Sequence, residues 1–383
     1  MRRRLIDSSI KIMADCYARH LEDATNFEKG QSPLERLLTL EHKLRLASAK
    51  IKVEIMPRKG RHPAKYTNYT GRTKPELADY VKAIADNYAG LNSVLPSKYK
   101  SDVIDIIEPK LKGIDVEKVR VKIGRKNRTL SEFIVEAMRY KYVQEKLMQR
   151  FMHKLEIKSC AYCNAQFAVT ALVESERTVD RKGKLRIKHA EGSFYELDHN
   201  LPKSKYPYLC TNFYNLQPCC SSCNRRKNAR DLGFSMYYEP GDSMPFRPLH
   251  FALEAKDLIA YRVRNRCKGI TAHLCNIGSD TKPIDGDGSL ADRFNQLLGV
   301  DGVYQEFSDE IEEILWRHKI YSKGMVTSLS AQMKALGIKS FDFKRYILGT
   351  YTEDSDAAKR PLTVMAQDVW EQIDGCKASM VNP

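Results

Sequence analysis

Glu196-Leu197-Asp198-His199-Asn200-Leu201-Pro202-Lys203-Ser204-Lys205, closed by Asn215-Leu216-Gln217-Pro218-Cys219-Cys220-Ser221-Ser222-Cys223-Asn224-Arg225-Arg226-Lys227, is the stretch that decides how the middle of this chain folds. It sets an Asp-His step ahead of one Cys-x-x-Cys pair, Cys220/Cys223, and a second pair, Cys160/Cys163, lies upstream. One pair alone says little. Two pairs supply the four thiolates that close a tetrahedral zinc sphere, leaving no position for a water. Such a zinc is structural, so any chemistry needs a different group. Asp198 is a hard carboxylate and Asn224 a neutral oxygen donor, and donors of this kind suit Mg²⁺ or Mn²⁺. His199, unprotonated near neutral pH, suits the role of general base for a water. Neighbours on an extended strand point to opposite faces, so a turn or bulge is expected to aim Asp198 and His199 inward together. Without the Asp-His step, two cysteine pairs would read as a zinc ribbon, a binding module with no catalysis.

The frame Cys-x-x-Cys-Asn selects Cys220 over its neighbour Cys219. Cys219, Cys210, Cys16, Cys267, Cys275 and Cys376 read as ordinary buried or half-buried thiols.

Taken together, these motifs resemble the HNH (ββα-metal) endonucleases, in the subclass whose core is stapled by a four-cysteine zinc. The resemblance covers roughly residues 157–232. It implies that Asp198 is the first ligand of a catalytic Mg²⁺ or Mn²⁺, that His199 is the general base, and that Asn224 is the final metal-binding position. It implies that Asn215 ties the loop and orients the base, and that Lys227 faces the scissile region. Pro202 fits the family's Asp-His-x-x-Pro turn. Asn228 stands where colicin-type DNases place a second histidine ligand, which favours Mg²⁺ or Mn²⁺ over softer ions. The run from Glu196 through Pro207-Tyr208 to Asn212-Phe213-Tyr214-Asn215-Leu216 is similar to a bacterial subfamily that includes the HNH subunit of Septu-type and retron-associated anti-phage systems. That likeness implies an SMC- or ABC-like ATPase partner. The chain has no Gly-x-x-x-x-Gly-Lys-Ser/Thr of its own, so ATP sensing would fall to that partner. The alternatives are a stand-alone or restriction-type DNA endonuclease, a tRNA-directed ribonuclease of the same fold, and a non-catalytic zinc module that binds nucleic acid.

Composition agrees with a nucleic-acid-facing protein. The chain has 383 residues, and its formal net charge of +16 suits a polyanionic partner. Ten cysteines in a chain this long read as metal ligands and free thiols in a reducing compartment, so a cytoplasmic location is expected. Met1-Arg2-Arg3-Arg4 is not followed by an apolar run, so it does not read as a signal peptide, and no membrane segment is expected. Basic residues cluster at Lys50–Lys74, where Arg58, Lys59 and Arg61 interleave with Tyr66 and Tyr69 in an irregular loop or short hairpin. Others cluster at Lys118–Arg128, at Arg177–Lys188 with Arg181 and Lys182, and at Arg225, Arg226 and Lys227. Lys203, Lys205, Arg225, Arg226, Arg181, Lys182, Arg58, Lys59 and Arg61 are the candidate nucleic-acid contacts.

The expected class is α+β, a mostly helical chain around a central zinc-stapled core, in three parts: 1–156, 157–238 and 239–383. Capping boxes at Ser32-Pro33-Leu34-Glu35 and Thr129-Leu130-Ser131-Glu132, with a variant at Thr73-Lys74-Pro75-Glu76, predict helices in the first part, the earliest with Leu37, Leu38 and Leu44 inward. In the last part Phe251–Arg264 reads as a strand pair and Ser308–Leu329 as one long helix. Asp285-Gly286-Asp287-Gly288 lacks EF-hand spacing and reads as a turn.

Overall fold

The structure, a computed structural model, describes residues 1–60, 62–179, 185–279, 286–338 and 341–379. Arg61, Arg181, Lys182, Asp285 and the side chain of Cys376 lie outside what is described. Helix and strand are mixed along the chain, and the class is α+β.

In the first part the caps act as their chemistry dictates. Ser32 and Glu35 exchange hydrogen bonds at the start of Pro33–Arg45, and Thr129 and Glu132 do the same at the start of Leu130–Ala137. Leu37, Leu40 and Leu44 are buried, whereas Leu38 faces solvent, because the inward stripe follows the i, i+3, i+7 rows. The Thr73 variant does not cap. Pro75 is the cap residue of Glu76–Asp86 and makes no side-chain bond, while Thr73 closes a turn with Thr70 instead.

The larger correction is a sheet. The first 156 residues are not purely helical: Lys65–Thr70, Lys50–Met56, Val119–Ile123 and Lys126–Thr129 form a four-stranded antiparallel sheet in that order. Its strands alternate. Ile51, Val119 and Val121 are buried, and Lys50, Lys52, Arg120 and Lys122 are exposed. Of the two expectations for the basic cluster at Lys50–Lys74, irregular loop or short hairpin, the structure has the hairpin, with Arg58 and Lys59 exposed in its turn.

In the middle, Val169–Val179 pairs antiparallel with Leu185–Phe194 as a two-stranded arm. Glu196–His199 then pairs with Leu216–Cys219, and Ser221–Lys227 follows as a short helix capped by Cys220. Past residue 239, Leu249–Leu253 pairs with Ala272–Asn276, and Ala255–Val263 is a helix; the strand pair expected within 251–264 is not formed, since only its first three residues are strand and their partner lies beyond it. The expected 308–329 helix is two, Ser308–Ile320 and Lys323–Ala335, because Ser322 caps a new start. Met325 is exposed as a result. Gly286 and Gly288 donate to Asp292 in a turn ahead of helix Leu290–Leu298.

Two buried clusters result. The first joins the early helices and the inner sheet face to Leu197, Tyr208, Phe213 and Leu216. The second packs the cysteine pairs with Phe251, Phe294, Tyr304 and the final helix Thr363–Ser379. The Glu196–His199 hairpin lies between them, contributing Leu197 to one and Cys219 to the other.

Candidate functional site

The four expected sulfurs meet. The Sγ atoms of Cys160, Cys163, Cys220 and Cys223 all lie within 4.8 Å of one another, and all four residues are buried. A tetrahedral zinc with Zn–S of about 2.3 Å needs sulfurs about 3.8 Å apart, so the cluster fits the ion in donor type, number and size. Charge argues the same way. Hydrogen bonds from Cys160, Cys163 and Cys223 hold the Cys220 thiol far below its ordinary pKa, while Cys160, Cys163 and Cys220 push Cys223 far above it. Four packed thiolates repel one another, and a dication among them lets all four stay ionised. Cys219 stands apart, its Sγ toward the Glu196 carbonyl at 3.6 Å. Cys210, Cys267 and Cys275 are buried, as expected of inert thiols, whereas Cys16 is exposed.

The knuckle is pinned from both sides. Asn164 accepts from the Val364 amide at 3.0 Å and donates to Ser159 Oγ at 2.7 Å and the Ala357 carbonyl at 3.1 Å. Tyr304 donates to the Cys163 carbonyl at 2.7 Å. Between Cys160 and Cys163, Tyr162 is fully buried and donates its hydroxyl to Asp198 Oδ2 at 2.5 Å. Burial first, then the Asp198 charge, push the Tyr162 phenol well above its usual pKa, so it stays a donor.

Asp198 and His199 are both buried, but no bulge brings them to one face. The ladder runs regularly through Asp198↔Gln217 and His199↔Leu216, and the two side chains enter different surroundings. Asp198 turns toward the Cys160–Cys163 turn and the short helix. His199 turns toward the first cluster, its ring 4.8 Å from that of Tyr140 and its Nε2 2.9 Å from the Cys210 carbonyl. A carbonyl only accepts, so Nε2 carries the hydrogen and Nδ1 the lone pair. Burial first, then the Lys203 ammonium, push the His199 pKa down to about 3 against the raising effect of the Cys210 bond; Lys227 adds to the fall. The imidazole is neutral at physiological pH.

Lys227 is buried against the Asp198 strand. It is 1% exposed, and its Nζ sits 2.9 Å from Asp198 Oδ2 and 3.0 Å from the His199 carbonyl. One turn before it on the helix, Asn224 donates its Nδ2 to Glu196 Oε2. Glu196 is two residues before Asp198, hence on the same face of the strand. The face therefore offers two carboxylates and an amide, Glu196, Asp198 and Asn224, with Lys227 as the counter-charge.

Asn215 holds the loop between the paired strands. Its Nδ2 donates to the Leu201 carbonyl at 3.1 Å and the Leu209 carbonyl at 3.0 Å, and its Oδ1 accepts from the Leu201 amide at 2.7 Å. Leu209 precedes Cys210, whose carbonyl fixes the His199 ring. Lys203 and Lys205 are exposed on this loop, and the Lys203 ammonium lies 4.3 Å over the Tyr140 ring. Arg225 and Arg226 are exposed on the short helix, and Arg226 reaches the Leu298 carbonyl at 3.5 Å. Arg58 and Lys59 lie in the turn that joins Lys50–Met56 to Lys65–Thr70 in the separate four-stranded sheet.

Sequence reasoning missed Glu196, Tyr162 and Tyr140. The i, i+2 spacing to Asp198 was a signal for Glu196. Nothing in the sequence pointed to Tyr162, which links the cysteine cluster to Asp198 through space. Tyr162→Phe should cost about 1.5–3 kcal/mol of folding stability, the range for a buried bond to a charged group, with zinc content unchanged. An unaltered urea midpoint would show that bond to be worth nothing.

Over 71 residues, 18% of this chain and 28% of the relative's length, the sequence is 34% identical to Septu protein PtuB of Bacillus thuringiensis. No protein-family profile matches the chain, and no solved structure matches it. Among the described residues no helix is long and apolar enough to cross a membrane.

Proposed function

We propose that this chain is a metal-dependent HNH endonuclease that cleaves or nicks phosphodiester bonds, DNA in preference to RNA, in anti-phage defence beside an ATPase partner. The observation that carries the reading is the strand–loop–strand–helix unit: Asp198 and His199 end one strand, Asn215 ties the loop, and the helix returns Asn224 and Lys227 against the first strand. The partial likeness to a Septu protein supports the defence setting.

In this reading neutral His199, held by the Cys210 carbonyl, takes a proton from water on Nδ1. Asp198 and Asn224, with Glu196 beside them, are the hard oxygen donors that would hold Mg²⁺ or Mn²⁺; the ion would offset charge developing on the phosphate and the leaving oxygen. Lys227 balances Asp198 and ties it to the His199 backbone. Lys203, Lys205, Arg225 and Arg226 are the contacts for flanking phosphates. The chemistry needs no 2′-hydroxyl, which favours DNA.

Purified protein incubated with plasmid and with total RNA, in Mg²⁺, Mn²⁺ or chelator, tests this. Nicked or linear plasmid in either metal and none in chelator is expected, stimulated by an ATPase that co-purifies from the native host. RNA degradation with intact plasmid would favour the ribonuclease alternative. Intact plasmid and RNA in both metals, with the co-purified partner present, would leave a zinc module without catalysis.

A further inference from the structure

We propose that the outer face of the four-stranded sheet is a docking surface for the phosphodiester backbone of nucleic acid. The register sets cations directly opposite one another: Lys50 pairs with Lys122, and Lys52 pairs with Arg120. All four are exposed, and among the described residues none of them forms an ion pair. Like charges facing each other across a ladder destabilise it. A folded sheet that keeps two such pairs side by side holds them at a cost in stability, and a polyanion laid over the face reverses the sign. The inner face needs no such account, since Ile51, Val119 and Val121 are buried in the first cluster.

The geometry suits a nucleic-acid strand better than an acidic protein patch. Cations two apart on a strand repeat at about 6.8 Å, and adjacent strands lie about 4.8 Å apart. The first spacing is comparable with that of successive phosphates along a chain. The neighbouring strand adds Asn68 opposite Lys52 and Tyr66 two residues away on the same face, a donor and a partly exposed ring on which a base can stack. The sheet is also braced to the loop of the proposed site. Its last strand ends at Thr129, which caps helix Leu130–Ala137, and Ser131 of that helix donates to the Ser204 carbonyl at 2.5 Å, between Lys203 and Lys205. This proposal rests on the nuclease reading only for the identity of the nucleic acid as substrate.

The test is binding of a fluorescein-labelled duplex and single strand, followed by anisotropy against salt in chelator. The variant Lys50→Ala/Lys52→Ala/Arg120→Ala/Lys122→Ala is compared with a charge-conserving variant, Lys50→Arg/Lys52→Arg/Arg120→Lys/Lys122→Arg, and with Lys268→Ala/Lys334→Ala/Lys344→Ala on the C-terminal part. Each lost phosphate contact should flatten the slope of log affinity against log salt by about 0.9 on duplex or about 0.7 on single strand. The quadruple alanine variant should therefore lose about three units of slope and at least about tenfold in affinity, and melt higher than wild type. The other two should bind as wild type. Unchanged affinity and slope in the alanine variant overturns the dock, whether the face then belongs to an acidic partner or to nothing. Sheet-dependent binding by a wild-type protein that cuts neither plasmid nor RNA upholds the dock and removes the nuclease reading instead.

Discussion

His199→Gln is expected to slow cleavage by about 10²–10⁴-fold while nucleic-acid binding and zinc content stay at wild-type levels. Gln keeps an N–H that can reach toward the Cys210 carbonyl but has no basic nitrogen. His199→Ala should lose as much activity and also about 1–3 kcal/mol of stability, because the buried Cys210 carbonyl then lacks its donor. The pair separates chemistry from structure: both variants lose rate, and only alanine lowers the melting temperature appreciably. Single-turnover cleavage with saturating protein reads the chemical step, and a filter-binding curve in chelator reads the affinity. Wild-type rates in His199→Gln would mean that another group takes the proton, and the assignment of the base would fall.

The legible part of this protein was the part written in cysteines and caps. A thiolate quartet has few uses, so Cys160, Cys163, Cys220 and Cys223 could be grouped from spacing alone, and the structure brings those sulfurs together. Ser32 and Thr129 announced helix starts because the capping box is a local bond pattern, complete within four residues. The sheet of the first part was hidden for the opposite reason. Its strands Lys50–Met56 and Val119–Ile123 are separated by 62 residues and show only four and three apolar positions, so the alternation is short and the pairing non-local. Charge concealed it further: Lys50, Lys52, Arg120 and Lys122 stood in two separate basic clusters of the sequence, and only the register sets them opposite one another. At the site, Asp198 and His199 were legible as residue types, but not their surroundings. The burial of Lys227 against Asp198, and the hydroxyl of Tyr162 on the same carboxylate, depend on how the knuckle packs on the hairpin, which no local spacing encodes.

Cys223→Ser should remove the zinc and unfold the second cluster, lowering the melting temperature by far more than any surface change. Metal binding to structural four-ligand sites is worth about 10–16 kcal/mol in small zinc peptides, as large as the about 5–15 kcal/mol that holds a whole domain folded. Here the cysteines are not an appendage. They pack in one cluster with Phe251, Tyr304 and Val369, and Asn164 of the knuckle bonds the first turn of the final helix. Loss of the ion would also reach the proposed site by two covalently short routes. Tyr162, between Cys160 and Cys163, bonds Asp198, and the Ala161 amide donates to the Pro218 carbonyl at 3.0 Å on the paired strand. Cleavage should therefore fall together with zinc content, even in whatever fraction stays soluble. Cys16→Ser, on an exposed side chain, should leave zinc, melting temperature and cleavage unchanged. Elemental analysis of freshly purified wild type should return one zinc per chain. A folded wild type without zinc, or a Cys223→Ser variant that melts with wild type, would end the structural-zinc assignment, because the cluster would then owe its packing to the apolar core alone.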